Sequence, residues 1–141
     1  MADLKVFVRD ENGVLRWGLV RPSVKIRGID LLVQLVANEL VRNPGRNVND
    51  PDAGAGLRQM IGQNISTEDE TEFFTDVRLR VTTAESNIKE RQIKTSRPSS
   101  ERLARLSLID MIPIVERSEL ELVIEIVSET EEIARERLGV R

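Results

Sequence analysis

Asp50 and Asp52, separated by Pro51 and followed by Gly54-Ala55-Gly56, are the residues of this sequence best placed to do chemistry. Two carboxylates flanking a sugar are the machinery of glycoside cleavage, one acting as acid and the other as base or nucleophile. Such a pair works in a cleft whose aromatic faces help hold the ring, and this loop has no aromatic residue. The other role open to the same side chains is to accept backbone N–H groups in an Asx turn and to meet the guanidinium of Arg46. Composition removes most other catalytic machinery. The 141 residues include no histidine, cysteine or tyrosine, so the commonest general bases, nucleophilic dyads, thiolate metal sites and disulfides are absent. Gly54-Ala55-Gly56 also lacks the lysine and the preceding strand of a phosphate-binding loop. The expectation is a protein that is not an enzyme and that takes no metal or other cofactor.

The loop is positioned by a helix. Ile29, Leu32, Val33, Val36 and Leu40 recur at the spacing of one helical face, with Asp30, Gln34, Asn38 and Glu39 on the polar face. Asn43-Pro44-Gly45-Arg46 ends that helix, since proline has no N–H and glycine tolerates positive φ. After the loop, residues 57–61 are expected to make a short helical turn ended near Gly62. Thr67 and Glu70 form a capping box for a second, long helix with a narrow apolar seam of Phe74, Val77, Val81, Ala84 and Ile88. That seam packs on the chain's own first helix or on a partner helix.

Strands flank the helices. Residues 4–9 and 14–19 alternate on either side of Asp10-Glu11-Asn12-Gly13, a hairpin signal, and Trp17 on its second arm covers the core or stands ready for a partner. A strand running toward Pro113 is followed by a turn at Glu116-Arg117-Ser118-Glu119. A second strand then places Leu120, Leu122, Ile124 and Ile126 on one face and Glu119, Glu121, Val123 and Glu125 on the other. Ser128 with Glu131 reads as another capping box, opening a short C-terminal helix closed by Gly139. The fold class expected is α+β: two principal helices packed on a small antiparallel sheet, with an N-terminal β-hairpin and a short C-terminal helix. One domain spans 1–141, divided into a hairpin (1–20), a core (29–130) and a terminal helix and tail (131–141).

Hydrophobic residues make up 40% and aromatic residues 3%, so the core is aliphatic and a base-stacking platform for nucleic acid is not expected. The net charge of -3, with basic and acidic residues interspersed, argues against a phosphate-binding stripe. No apolar run has the length of a membrane span and the N-terminus has no signal core, which points to synthesis in the cytoplasm. No membrane or small-molecule partner is expected.

A helix followed by Pro44-Gly45-Arg46, then a loop with proline, an acid and glycine leading to a leucine, resembles the baseplate wedge and sheath-initiator family of contractile phage tails, whose helix ends in Pro-Gly-x-Arg or a close relative and whose members are also described as lysozyme-like baseplate wedge proteins. Arg46, Pro51, Asp52, Gly54 and Leu57 carry the match. The order of elements extends it over residues 29–130. Ala53 stands where the family has an aromatic, and Arg97-Pro98-Ser99 stands where many members carry a docking Glu-Pro-Arg tripeptide. The resemblance implies a virion protein of the tail baseplate that templates sheath assembly by accepting sheath strands. Its implied partners are the tail sheath protein and the baseplate wedge proteins, with the tail tube or hub as a further contact. Candidate contact residues are Arg46, Asp50 and Asp52 in the loop and Leu120, Leu122, Val123, Ile124, Glu125 and Ile126 on the strand. A protein-interaction adaptor using its long helix and a polysaccharide hydrolase are the competing functions.

Overall fold

A computed structural model describes residues 3–4, 7–18, 25–42, 54–57, 70–117 and 119–140. Two helices, α1 (Ile29–Val41) and α2 (Glu70–Ile93), pack on one face of a five-stranded sheet. Its strands are β2 (Phe7–Arg9), β3 (Val14–Trp17), β5 (Leu103–Ile114), β6 (Glu119–Ser128) and β7 (Ile133–Val140), in the order β2-β3-β7-β6-β5. β1 (Asp3–Leu4) and β4 (Lys25–Ile26) form a separate antiparallel pair. All neighbours in the main sheet are antiparallel except β3 and β7, which run parallel through Val14 with Arg137 and Leu15 with Leu138. The α+β class follows as expected, with the sheet mixed rather than purely antiparallel.

The core forms where the two periodicities meet. Leu32, Val33, Val36, Ala37 and Leu40 of α1 and Val77, Val81, Ala84 and Ile88 of α2 are buried, as their helical spacing requires. They pack on Leu120, Leu122, Ile124 and Ile126, which alternate along β6 at the two-residue period of a strand. One residue of the seam differs from the expectation. Phe73 is buried, while Phe74 is half-buried and carries the Arg78 guanidinium 4.9 Å from its ring centroid.

The N-terminal hairpin is present. Asp10 organises its turn, its Oδ1 accepting from Asn12 N–H at 2.9 Å and Val14 N–H at 3.0 Å, while Gly13 takes a positive φ of 78°. Asp10 Oδ2 also meets Arg16 Nε at 2.8 Å. The Trp17 side chain lies outside the described residues, as do residues 58–61 of the expected helical turn and Thr67 of the expected cap.

The expected C-terminal helix is not formed: Ile133–Val140 is a strand. Ser128 and Glu131 do cooperate, but in a hairpin turn. Ser128 Oγ accepts from Glu132 N–H at 3.2 Å, Glu131 N–H donates to the Ser128 carbonyl at 3.0 Å, and Glu131 takes a φ of 68°. A capping box supplies only its own local bonds, and the residues that follow decide what continues from it. Here Glu136, Leu138 and Val140 are buried in alternation with exposed Arg135 and Arg137. Those arginines find Glu125 and Glu121 on β6, a pairing available only to a strand. Gly139, expected to close the helix, lies instead mid-sheet opposite Glu121.

Candidate functional site

β6 is an interior strand. β5 pairs with it over residues 119–128 and β7 over 120–127, so both sides of its backbone are taken. Leu120, Leu122, Ile124 and Ile126 face the helices, fully buried; Val123 and Glu125 point to the other face. The expectation that a partner strand adds to β6 is therefore corrected. Half-buried alternation marks any strand of a sheet covered on one face, and edge position depends on neighbours that the strand's own sequence does not encode. Arg46, Asp50 and Asp52 lie outside the described residues.

The edges are β2 and β5, and helix side chains reach over both. Gln34 of α1 accepts the Phe7 N–H at 3.2 Å. From α2, Gln92 accepts the Leu103 N–H at 2.8 Å and Glu85 the Leu106 N–H at 2.6 Å. Unpaired edge amides invite foreign strands, and these three carbonyl or carboxylate oxygens occupy them.

The distal half of β5 is arranged differently. Its register with β6 skips Ala104 and Ile109, so Leu106, Leu108, Met111 and Pro113 share one face and turn their backbone polar groups away from β6. Pro113 fits that parity because it has no N–H for the ladder. The Met111 N–H is occupied by the side chain of Asp110 at 2.8 Å. By the same parity the carbonyls of Met111 and Pro113 face away from β6, beside Ile109 and Ile112, which are 51% and 38% exposed. This stretch can accept hydrogen bonds and cover apolar surface, and it offers few donors.

Behind the edge, the glycine loop is anchored rather than presented. Glu39, 1% exposed, accepts the Gly54 N–H at 2.8 Å and the Asn87 amide at 3.4 Å through Oε1, and pairs with Arg91 through Oε2. Ala55 N–H donates to the Glu39 carbonyl at 2.9 Å and Gly56 N–H to the Arg42 carbonyl at 3.0 Å, satisfying the open end of α1. Arg80 of α2 donates to the Ala55 carbonyl at 2.7 Å from the other side. Gly54 has a φ of 107°, and a Cβ there would sit 2.3 Å from the Arg42 carbonyl oxygen. Glu39 and Gln34, assigned to the polar helix face from spacing alone, thus serve as a loop anchor and an edge cap. The sequence signal for them was only an acid and an amide on the shoulder of an apolar stripe.

The sheet face opposite the helices is laced with ion pairs. Glu119, Glu121 and Glu125 line β6 there, buried or nearly so beneath arginines from both sides. Glu125 takes Arg135 Nε at 2.9 Å and Arg105 Nη2 at 3.1 Å; Glu121 takes Arg137 at 2.6 Å; Glu119 pairs with Arg16 and lies 3.7 Å from Arg117. The Arg135 hydrogen bond is the main influence holding the Glu125 carboxyl below its ordinary value, opposed by partial burial and aided by Arg105. Asp10 is lowered in the same way by Arg16, whose own pKa rises. Arg16 reaches Glu119 over Gly139, where a Cβ would fall 2.7 Å from its Nη1.

No protein-family model matches the chain, and no curated protein matches it.

Proposed function

We propose that this chain is a structural protein of a contractile-tail baseplate that receives an extended segment of the sheath protein along the distal half of β5. Three supports converge: the loop and element order over residues 29–130, an α+β fold of two helices on a small sheet, and the character of the β5 edge. The single observation that carries the reading is the last. By register, Met111 and Pro113 turn their carbonyls outward beside exposed Ile109 and Ile112, while the first half of the same edge is closed by Gln92 and Glu85. A partner segment donating to those carbonyls gains about 1 kcal/mol per hydrogen bond and buries the two isoleucines as well.

Proline substitution tests it. At Met111 the amide faces away from the ladder, so Met111→Pro leaves the β5–β6 bonds intact but places a pyrrolidine ring where the incoming backbone must lie. At Ile112 the amide faces β6, so Ile112→Pro lowers the melting temperature. Both are read by thermal unfolding and by sheath nucleation on baseplates reconstituted with the neighbouring tail gene products. Met111→Pro should stay folded and fail to nucleate. Full nucleation by that variant removes the β5 edge from the mechanism.

A further inference from the structure

The distal half of β5 has the composition of a strand that pairs with its own copy. From Leu108 to Ile114 every residue is apolar except Asp110, and Ile109 and Ile112 are exposed at an edge of the sheet. Segments of that kind associate edge to edge unless a charge or a proline interrupts them. Both interruptions are present, and each removes a backbone donor. The Asp110 carboxylate accepts the Met111 N–H at 2.8 Å, and Pro113 has no N–H. Nearer the start of the strand, Gln92 and Glu85 hold the amides of Leu103 and Leu106.

The effect of these two residues on self-pairing follows from the register. Two copies laid antiparallel about an axis through Ile112 would set Met111 of each opposite Pro113 of the other, and the Ile112 side chains would touch on the axis. Residues opposed in this way exchange two N–H···O bonds. Here the proline donates nothing, the methionine donates only by leaving Asp110, and each Met111 carbonyl is left against a pyrrolidine ring. We propose that Asp110 and Pro113 keep β5 from pairing with a second copy of the chain, so that its outward carbonyls stay open to a partner that brings its own donors. The assignment holds whatever that partner is, because it rests on what the edge refuses.

Sedimentation equilibrium of the full chain, with no other protein present, tests this. The wild type should stay monomeric up to millimolar concentration. Asp110→Ala with Pro113→Val frees one outward amide and creates another, at two exposed positions outside the β5–β6 ladder. That variant should keep the native circular dichroism and sediment at twice the monomer mass. Pro113→Val alone leaves the Asp110 bond in place and should dimerise with a dissociation constant about tenfold higher or more; it carries the test by itself if the double variant unfolds. Adding Ile112→Lys to either sets two ammonium groups against each other on the axis and should restore the monomer. A wild type whose dimer is abolished by Ile112→Lys overturns the proposal, as do folded variants that remain monomeric at millimolar concentration or whose association Ile112→Lys leaves unchanged. Unfolding of both variants overturns it too, since Asp110 and Pro113 would then be parts of the fold rather than its guard.

Discussion

Replacing Gly54 by alanine tests whether the glycine loop is a structural anchor, and Gly13→Ala supplies the internal standard. Both glycines have positive φ, 107° and 78°, so both alanines are strained by backbone conformation. The surroundings differ completely. Nothing lies within 4 Å of a Cβ at Gly13, whereas at Gly54 it would fall 2.3 Å from the Arg42 carbonyl oxygen and 2.8 Å from its carbon. Gly13→Ala should therefore cost only the left-handed conformation, about 1–2 kcal/mol. Gly54→Ala carries a comparable strain and must also push the backbone away by roughly an ångström, loosening bonds of about 1 kcal/mol each. The neighbours at risk are the Gly56 N–H bond to Arg42 and the Gly54 N–H bond to buried Glu39. A total of about 3–4 kcal/mol follows for Gly54→Ala. For a chain of this size each kcal/mol lowers the melting temperature by about 3 °C, so the losses should be about 3–6 °C and about 9–12 °C. Thermal and urea unfolding followed by far-ultraviolet circular dichroism measures both. Equal losses at the two positions would refute the close approach of the loop to the end of α1.

Acid unfolding should depend on Glu125. Its folded pKa lies below the ordinary 4.5, so it stabilises the fold fully above that value and progressively less as pH falls through the depressed one. Glu125→Gln should narrow the stability difference between neutral pH and pH 3, and an unchanged acid limb in the variant would show that the Arg135 and Arg105 pairs contribute nothing. The purified chain should release no sugar from peptidoglycan or other polysaccharides, since it lacks the usual catalytic side chains and its acidic loop has no aromatic platform. Release above a buffer control, abolished by Asp50→Asn or Asp52→Asn, would reverse that expectation.

The helices were legible in the sequence because burial of one face writes its period directly into residue order, as Val77, Val81, Ala84 and Ile88 show. The β2–β3 and β5–β6 hairpins were legible for a related reason, each joined by a short polar turn. What escaped was information held between strands. Ser128 and Glu131 satisfy a local capping pattern equally well in a helix or a turn, and only the opposition of Arg135 and Arg137 to Glu125 and Glu121 favours the strand. The same holds for β6, whose alternation gives its faces but not its neighbours. Glu119 and Glu121, placed by alternation on the face opposite Leu120 and Leu122, are buried because arginines from other strands lie over them. For the candidate contact strand, residue order gave the faces of β6 but not that β5 and β7 take both sides of its backbone.

The parallel pairing of Val14 and Leu15 with Arg137 and Leu138 makes synthesis itself part of the folding problem. The hairpin that includes β3 leaves the ribosome more than a hundred residues before the strand that receives it. At about 5–20 residues per second, it waits several seconds or longer with Val14 and Leu15 uncovered. Meanwhile β5 and β6 can pair as a local hairpin, so the nascent chain holds two partial sheets awaiting the same late strand. β7 joins both at once, a single zipping event of high contact order. Chains interrupted before that strand expose backbone edges that the finished sheet conceals, so the molecule becomes safe for assembly only when this late strand is in place.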